Sequence, residues 1–199
     1  MASEAFNRFK RSMDIGYEQW HDGIGYDLDA IDHLTDAEKK MAENLLIPRA
    51  EKDWRDLEAL DRLGTPGAIQ SILAVRHAKD PQIRLRAHEY GPAPTAAEWE
   101  HTILSSLETA EIYSGLIQVL NRAIGYPTPP VIDKLWSKVR DPKSGVAYHC
   151  AAALCCITGI QDSMYDDQHR ELFLRLVGPA SSERIQAVQE LELMIPNVR

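Results

Sequence analysis

His149-Cys150 and Cys155-Cys156 are the nearest approach to a metal-ligand set in this sequence. They lack the C-x-x-C or H-x-x-x-H spacing that turns two side chains toward one ion. Adjacent cysteines on a helix also point about 100° apart. Cys150, Cys155 and Cys156 therefore read as small core residues of a reducing compartment and not as a disulfide framework. Asp27, Asp29 and Asp32 resemble part of a calcium loop, but the D-x-D-x-D-G spacing and the closing Glu are missing. Asp166 and His169 stand three apart, a spacing suited to a surface hydrogen bond across one helix face. Arg76, His77, Lys79, Arg84, Arg86 and His88 straddle one loop and the helix after it. They could grip a phosphate or bridge to the acidic residues earlier in the chain. No nucleophile elbow, phosphate loop or dinucleotide fingerprint occurs. No catalytic, cofactor-binding or metal-ligating residue is assigned, and no cofactor is expected.

Aromatic and acidic residues together make the strongest candidate site. Tyr17, Trp20 and Tyr26 lie beside Asp22, Asp27, Asp29 and Asp32. Large rings anchor protein interfaces and carboxylates select a basic partner. The competing reading places Trp20 and Tyr26 over the open end of the hydrophobic core. Both readings stay open at this point. The formal charge of −8 is concentrated in residues 14–61, where 14 acidic residues face five basic ones. Such a block attracts a basic protein and disfavours nucleic acid, whose binding rests on neutralised phosphates.

Helices must position these groups. Trp54, Leu57 and Leu60, then Ile69, Ile72 and Leu73, then Ile132, Leu135, Trp136 and Val139 recur at helical spacing, and no segment alternates with period two. Gly64-Thr65-Pro66, Lys79-Asp80-Pro81, Gly91-Pro92, Gly125-Tyr126-Pro127, Asp141-Pro142 and Gly178-Pro179 break the pattern. Proline suits a first helical position, and a preceding Thr or Asp can cap. Phe6, Phe9 and Met13 form an N-terminal stripe. Tyr17 to Tyr26 predicts a turn or bent connection. Asp27 to Leu34 and Thr35 to Leu46 predict two short helices, the second opened by a Thr35/Glu38 capping box. The apolar run at 146–158 predicts a central helix. The last helix, 181–195, should bury one face through Ile185, Val188, Leu191 and Ile195.

The breaks recur at roughly 30 to 36 residues, as in helical repeats, and define hairpins at 51–78, 80–108, 109–140 and 143–177. Asp80-Pro81-Gln82-Ile83-Arg84, restated more loosely by Asp141-Pro142 with Val146, resembles the loop-to-helix start of HEAT repeats. Phe9 to Leu46 is similar to the leading segment of bacterial HEAT-like proteins. The resemblance implies an all-α fold, a short right-handed α-solenoid of HEAT-like helical hairpins. A single domain, 1–199, would have an N-terminal helical cap at 1–50 and hairpins at 51–199. His88-Glu89 supplies only one of the His-Glu pairs that HEAT-like iron hydroxylases repeat.

Hydrophobic content of 44% with 26% charged residues is ordinary globular composition. No stretch approaches the ~20 apolar residues of a membrane helix. Arg8, Lys10 and Arg11 precede no apolar segment, which argues against a secretory signal and for a cytoplasmic protein. The expected function is protein binding. HEAT-like immunity proteins are similar to this chain, which implies stoichiometric neutralisation of a cognate bacterial toxin or effector domain, with a basic partner and neither nucleic acid nor membrane. The alternatives are a HEAT-like enzyme, either a lyase or a DNA glycosylase, and a general scaffold or regulator.

Overall fold

The computed structural model describes residues 2–109, 111–112 and 115–195. Among these residues the chain is all-α, with thirteen α-helices, two single-turn 3-10 segments and no strand. No helix among them is long and apolar enough to cross a membrane. The chain divides into two compact units, 1–94 and 95–199.

The first unit contains α1 (Glu4–Ser12), α2 (Tyr17–His21), α3 (Leu28–Asp32), α4 (Asp36–Leu46), α5 (Trp54–Leu63), α6 (Pro66–Ala74) and α7 (Pro81–Glu89). Local chemistry starts most of them. Ser3, Asp27, Thr35, Asp53, Thr65 and Asp80 each accept a backbone N–H of the first turn that follows, satisfying donors that the helix leaves open. The expected capping box forms: Thr35 N donates to Glu38 Oε2 at 3.1 Å and Glu38 N to Thr35 Oγ1 at 3.4 Å. Glu38 also accepts Ser3 N at 2.6 Å, which ties the start of α1 to α4. These N–H donors, Ser3 first, hold its carboxyl down to about 2.

Phe9, Ile31, Leu46, Leu57, Leu60 and Ile72 fill one core in this unit. α5 is the hub, packing against α3, α4, α6 and α7. The predicted hairpin at 51–78 is therefore present as α5 and α6.

The second unit contains α8 (Ala96–Thr109), α9 (Leu116–Gly125), α10 (Pro129–Arg140), α11 (Ala147–Ile157), α12 (Arg170–Leu174) and α13 (Ser182–Met194). Its pairing differs from the sequence expectation. α8 packs on α9 and α10, while α11 packs on α9, α10 and α12. α10 thus packs mainly on α11 and α8 and not on α9, against the hairpin expected at 109–140, whereas α11 and α12 do pack together as the 143–177 hairpin requires. The expected 80–108 hairpin is divided between the units, α7 in the first and α8 in the second. All the Gly/Pro breaks look alike in sequence, so spacing could locate helices but not choose their neighbours. The opening of the 109–140 hairpin, at 110 and 113–114, lies outside the described residues.

α11 is the predicted central helix, with Cys150, Ala151, Ala152, Ala153, Leu154 and Cys155 all buried. Phe173 of α12 is fully buried and meets the Tyr148 ring edge-on at 5.5 Å. Burial pushes the Cys150 and Cys155 thiols up to about 12.

α13 corrects another expectation. Arg184, Ala187, Leu191 and Ile195 are buried, whereas Ile185 is 58% exposed. The inward stripe follows i, i+3, i+7, and Ile185 stands about 100° away from it. Thr128, which precedes the α10 prolines, makes no side-chain cap bond.

Candidate functional site

α2 and the turn after it present the aromatic residues singled out above. Gly16 N donates to Gln19 Oε1 at 2.7 Å and so closes the first turn. At the other end Gly23 N donates to Trp20 O and Ile24 N to Gln19 O, the paired bonds of a Schellman closure. Gly23 sits at φ +67°, a left-handed conformation that a side chain would strain. The expected bent connection is thus one short helix and a glycine turn.

This helix buries none of its side chains. Tyr17 is 77% and Trp20 62% exposed. Their ring centroids stand 6.2 Å apart, and Tyr17 lies 6.1 Å from the His21 ring. The three residues follow i, i+3, i+4 and share one face. Asp14, Glu18 and Asp22 are exposed around it. Asp22 Oδ1 lies 3.1 Å from His21 Nδ1, while Asp14 and Glu18 enter no ion pair among the described residues. Exposed rings beside unpaired carboxylates suit a guanidinium or ammonium group, which gains from both the ring face and the opposite charge.

The stem of this turn is anchored in the core. Arg55, 2% exposed, donates from Nε to Ile24 O at 2.6 Å. Tyr26 is buried, with its ring edge-on to Phe9 at 6.3 Å. Its hydroxyl donates to Asp56 Oδ1 at 3.1 Å and accepts from Arg49 Nη2 at 3.0 Å. Arg49 Nε reaches the other Asp56 oxygen at 3.3 Å. Asp56 is fully buried, and desolvation outweighs Arg49 and Tyr26, pushing its carboxyl up to about 6. Burial and the Asp56 charge raise the Tyr26 phenol well above its ordinary range.

The seven predicted partner-binding residues divide accordingly. Tyr17, Trp20, Asp22 and Asp29 face solvent. Tyr26 belongs to the core, as the competing reading had it, and Trp20 does not. Asp27 caps α3 through Ala30 N and binds Arg8 at 2.8 Å, which holds its carboxyl below the usual range. Asp32 pairs with Arg62, with the same effect. Asp27, Asp32, Glu43, Asp53 and Asp56 of the acidic block are thus paired within the unit, while among the described residues Asp14 and Glu18 beside α2 are not. Asp14 and Glu18 were missed, although the four-residue steps from Asp14 to Glu18 to Asp22 are visible in the sequence.

Arg76, Arg84, Arg86 and His88 of the basic group at 76–88 all have partners within the protein. Arg76 is buried and donates to Ala87 O at 3.1 Å and to Pro92 O. Arg84 donates to Ala78 O at 2.8 Å, and His88 Nδ1 lies 2.9 Å from Arg84 O. Arg86 pairs with Glu89 and lies over the Trp54 ring. Asp166 and His169 do not share a helix: Asp166 lies in the turn before α12 and accepts Gln168 N at 2.9 Å. Among the described residues no three His, Cys, Asp or Glu side chains converge in a metal-holding group. Compared with family models, curated proteins and solved structures, the chain matches none.

Proposed function

We propose that the chain is a stoichiometric protein-binding module that engages a basic partner through the exposed face of α2, in the manner of an immunity protein neutralising a cognate toxin. The observation that carries this reading is the pair of neighbouring, solvent-exposed rings of Tyr17 and Trp20 framed by Asp14, Glu18 and Asp22. Trp and Tyr dominate interface hot spots. Burying one such ring contributes about 1.5–3 kcal/mol. The carboxylates would accelerate encounter with a cationic protein and lend it salt dependence. Within the same reading, the helix pairs of each unit are HEAT-like repeats, and their stacking as a short right-handed solenoid is part of the proposal.

The test is affinity capture from the source cells with the wild-type chain and with a Tyr17→Ala/Trp20→Ala variant, followed by co-expression with the captured protein. The expected result is one basic partner in 1:1 complex, toxic when expressed alone, harmless with the wild type and not with the variant. Equal capture and equal protection by both proteins would remove α2 from the interface.

A further inference from the structure

α13 carries a cation in its buried face. Arg184 is 3% exposed, and its Nη2 donates to Val139 O at 2.7 Å and Asp141 O at 2.8 Å, where α10 ends. Its Nη1 is buried and has no acceptor. No carboxylate pairs with it among the described residues. A helix C-terminus supplies only about half an elementary negative charge. Among the described residues the guanidinium is thus held by backbone carbonyls alone, with one donor unused, where water is largely excluded.

Beside this side chain opens a groove of about 290 Å³ between the connection after α10 and the first turns of α13. Pro142, Ala180, Ile185 and Val188 make its apolar wall, and Arg140 and Arg184 line it as well. Arg140 is already neutralised: it lies over the Trp136 ring at 4.9 Å and pairs with Glu192 at 2.8 Å. Arg184 therefore sets the sign of the site. Arg184 lines the groove while its unpartnered Nη1 is buried, so a ligand reaches it only if a wall side chain yields, and Ile185, more than half exposed, is the one placed to do so.

We propose that this groove binds a small organic carboxylate with a short apolar tail, the carboxylate against Arg184 and the tail against Pro142, Ile185 and Val188. Inorganic phosphate would leave the apolar wall unused. A neutral apolar molecule would leave the guanidinium N–H without an acceptor. The volume falls just below the roughly 300–1,000 Å³ of sites for drug-sized ligands, which restricts the tail to a few carbons.

The experiment titrates the full chain with hexanoate, hexanamide and inorganic phosphate by calorimetry, and repeats the hexanoate titration on Ile185→Glu and Arg184→Lys. Hexanoate should bind at least about tenfold more tightly than the amide or phosphate. Ile185→Glu, a surface change that sets a competing carboxylate on the wall, should weaken hexanoate by about tenfold with an unaltered melting curve. Arg184→Lys should weaken it severalfold; if that variant fails to fold, Ile185→Glu alone decides. The proposal is overturned by equal affinity for acid and amide, by phosphate matching hexanoate, by indifference to Ile185→Glu, or by no hexanoate binding up to about 10 mM.

Discussion

Replacing Tyr26 by Phe deletes one hydroxyl and leaves the ring packed edge-on against Phe9. Among the described residues Asp56, fully buried, then keeps the side-chain bond from Arg49 alone, at 3.3 Å. A hydrogen bond to a charged group contributes about 1.5–3 kcal/mol and one between neutral groups about 0.5–1.5 kcal/mol. The Asp56 carboxyl titrates near 6. At pH 7.5 the lost bond is to a carboxylate, and at pH 5 mostly to a carboxylic acid. The substitution should therefore cost about 2 kcal/mol at pH 7.5 and about 1 kcal/mol at pH 5.

For a chain of this length that corresponds to a fall in Tm of about 6 °C and about 3 °C respectively. Thermal melts at the two pH values measure the difference, and hydrogen exchange of the α3 and α5 amides localises it to the first unit. The sign follows from linkage. A folded carboxyl raised above its unfolded value of about 4 contributes less stability as pH rises from about 4 to about 6, and the Tyr26 hydroxyl offsets part of that loss. Equal destabilisation at both pH values, or a larger one at pH 5, would refute the assignment of Asp56 as the group this hydroxyl serves.

Tyr17→Ala and Trp20→Ala should change stability by less than about 0.5 kcal/mol each, because both rings are exposed; a melt shifted by several degrees would mean that α2 is structural. Thr35→Ala removes the cap of α4 and should cost about 1 kcal/mol in denaturant unfolding, more than Ser182→Ala one residue inside α13. With a thiol reagent at neutral pH, Cys156 should react first in the native protein, since Cys150 and Cys155 are fully buried and pushed up to about 12. Simultaneous labelling of all three would contradict the packing of α11.

Much of the local structure was legible before any coordinates. The Thr35/Glu38 box, the Thr65-Pro66 and Asp80-Pro81 starts and the apolar run of α11 all formed where expected. Each depends on atoms three or four residues apart, the range over which sequence pattern and geometry coincide. The candidate site was legible only in part. Trp20 and Tyr26 look alike in a sequence, each an aromatic residue beside aspartates and glycines. The buried Asp56, thirty residues on, holds Tyr26 inside together with Arg49 and Phe9, and no comparable partner holds Trp20 among the described residues.

What the sequence by itself determined is that the chain is helical, where most helices begin and stop, and that an acidic, aromatic segment precedes α3. The tertiary structure decided which helices pair, which carboxylates are neutralised and which arginines are buried. Asp27 meets Arg8 across nineteen positions, and Arg184 meets the end of α10 across forty-five. The physical reason is one of range. Caps and turn bonds are complete within a few residues. The partner of a charge or an apolar face is whatever the packed chain brings within about 4 Å, and many helix pairings satisfy the same local pattern.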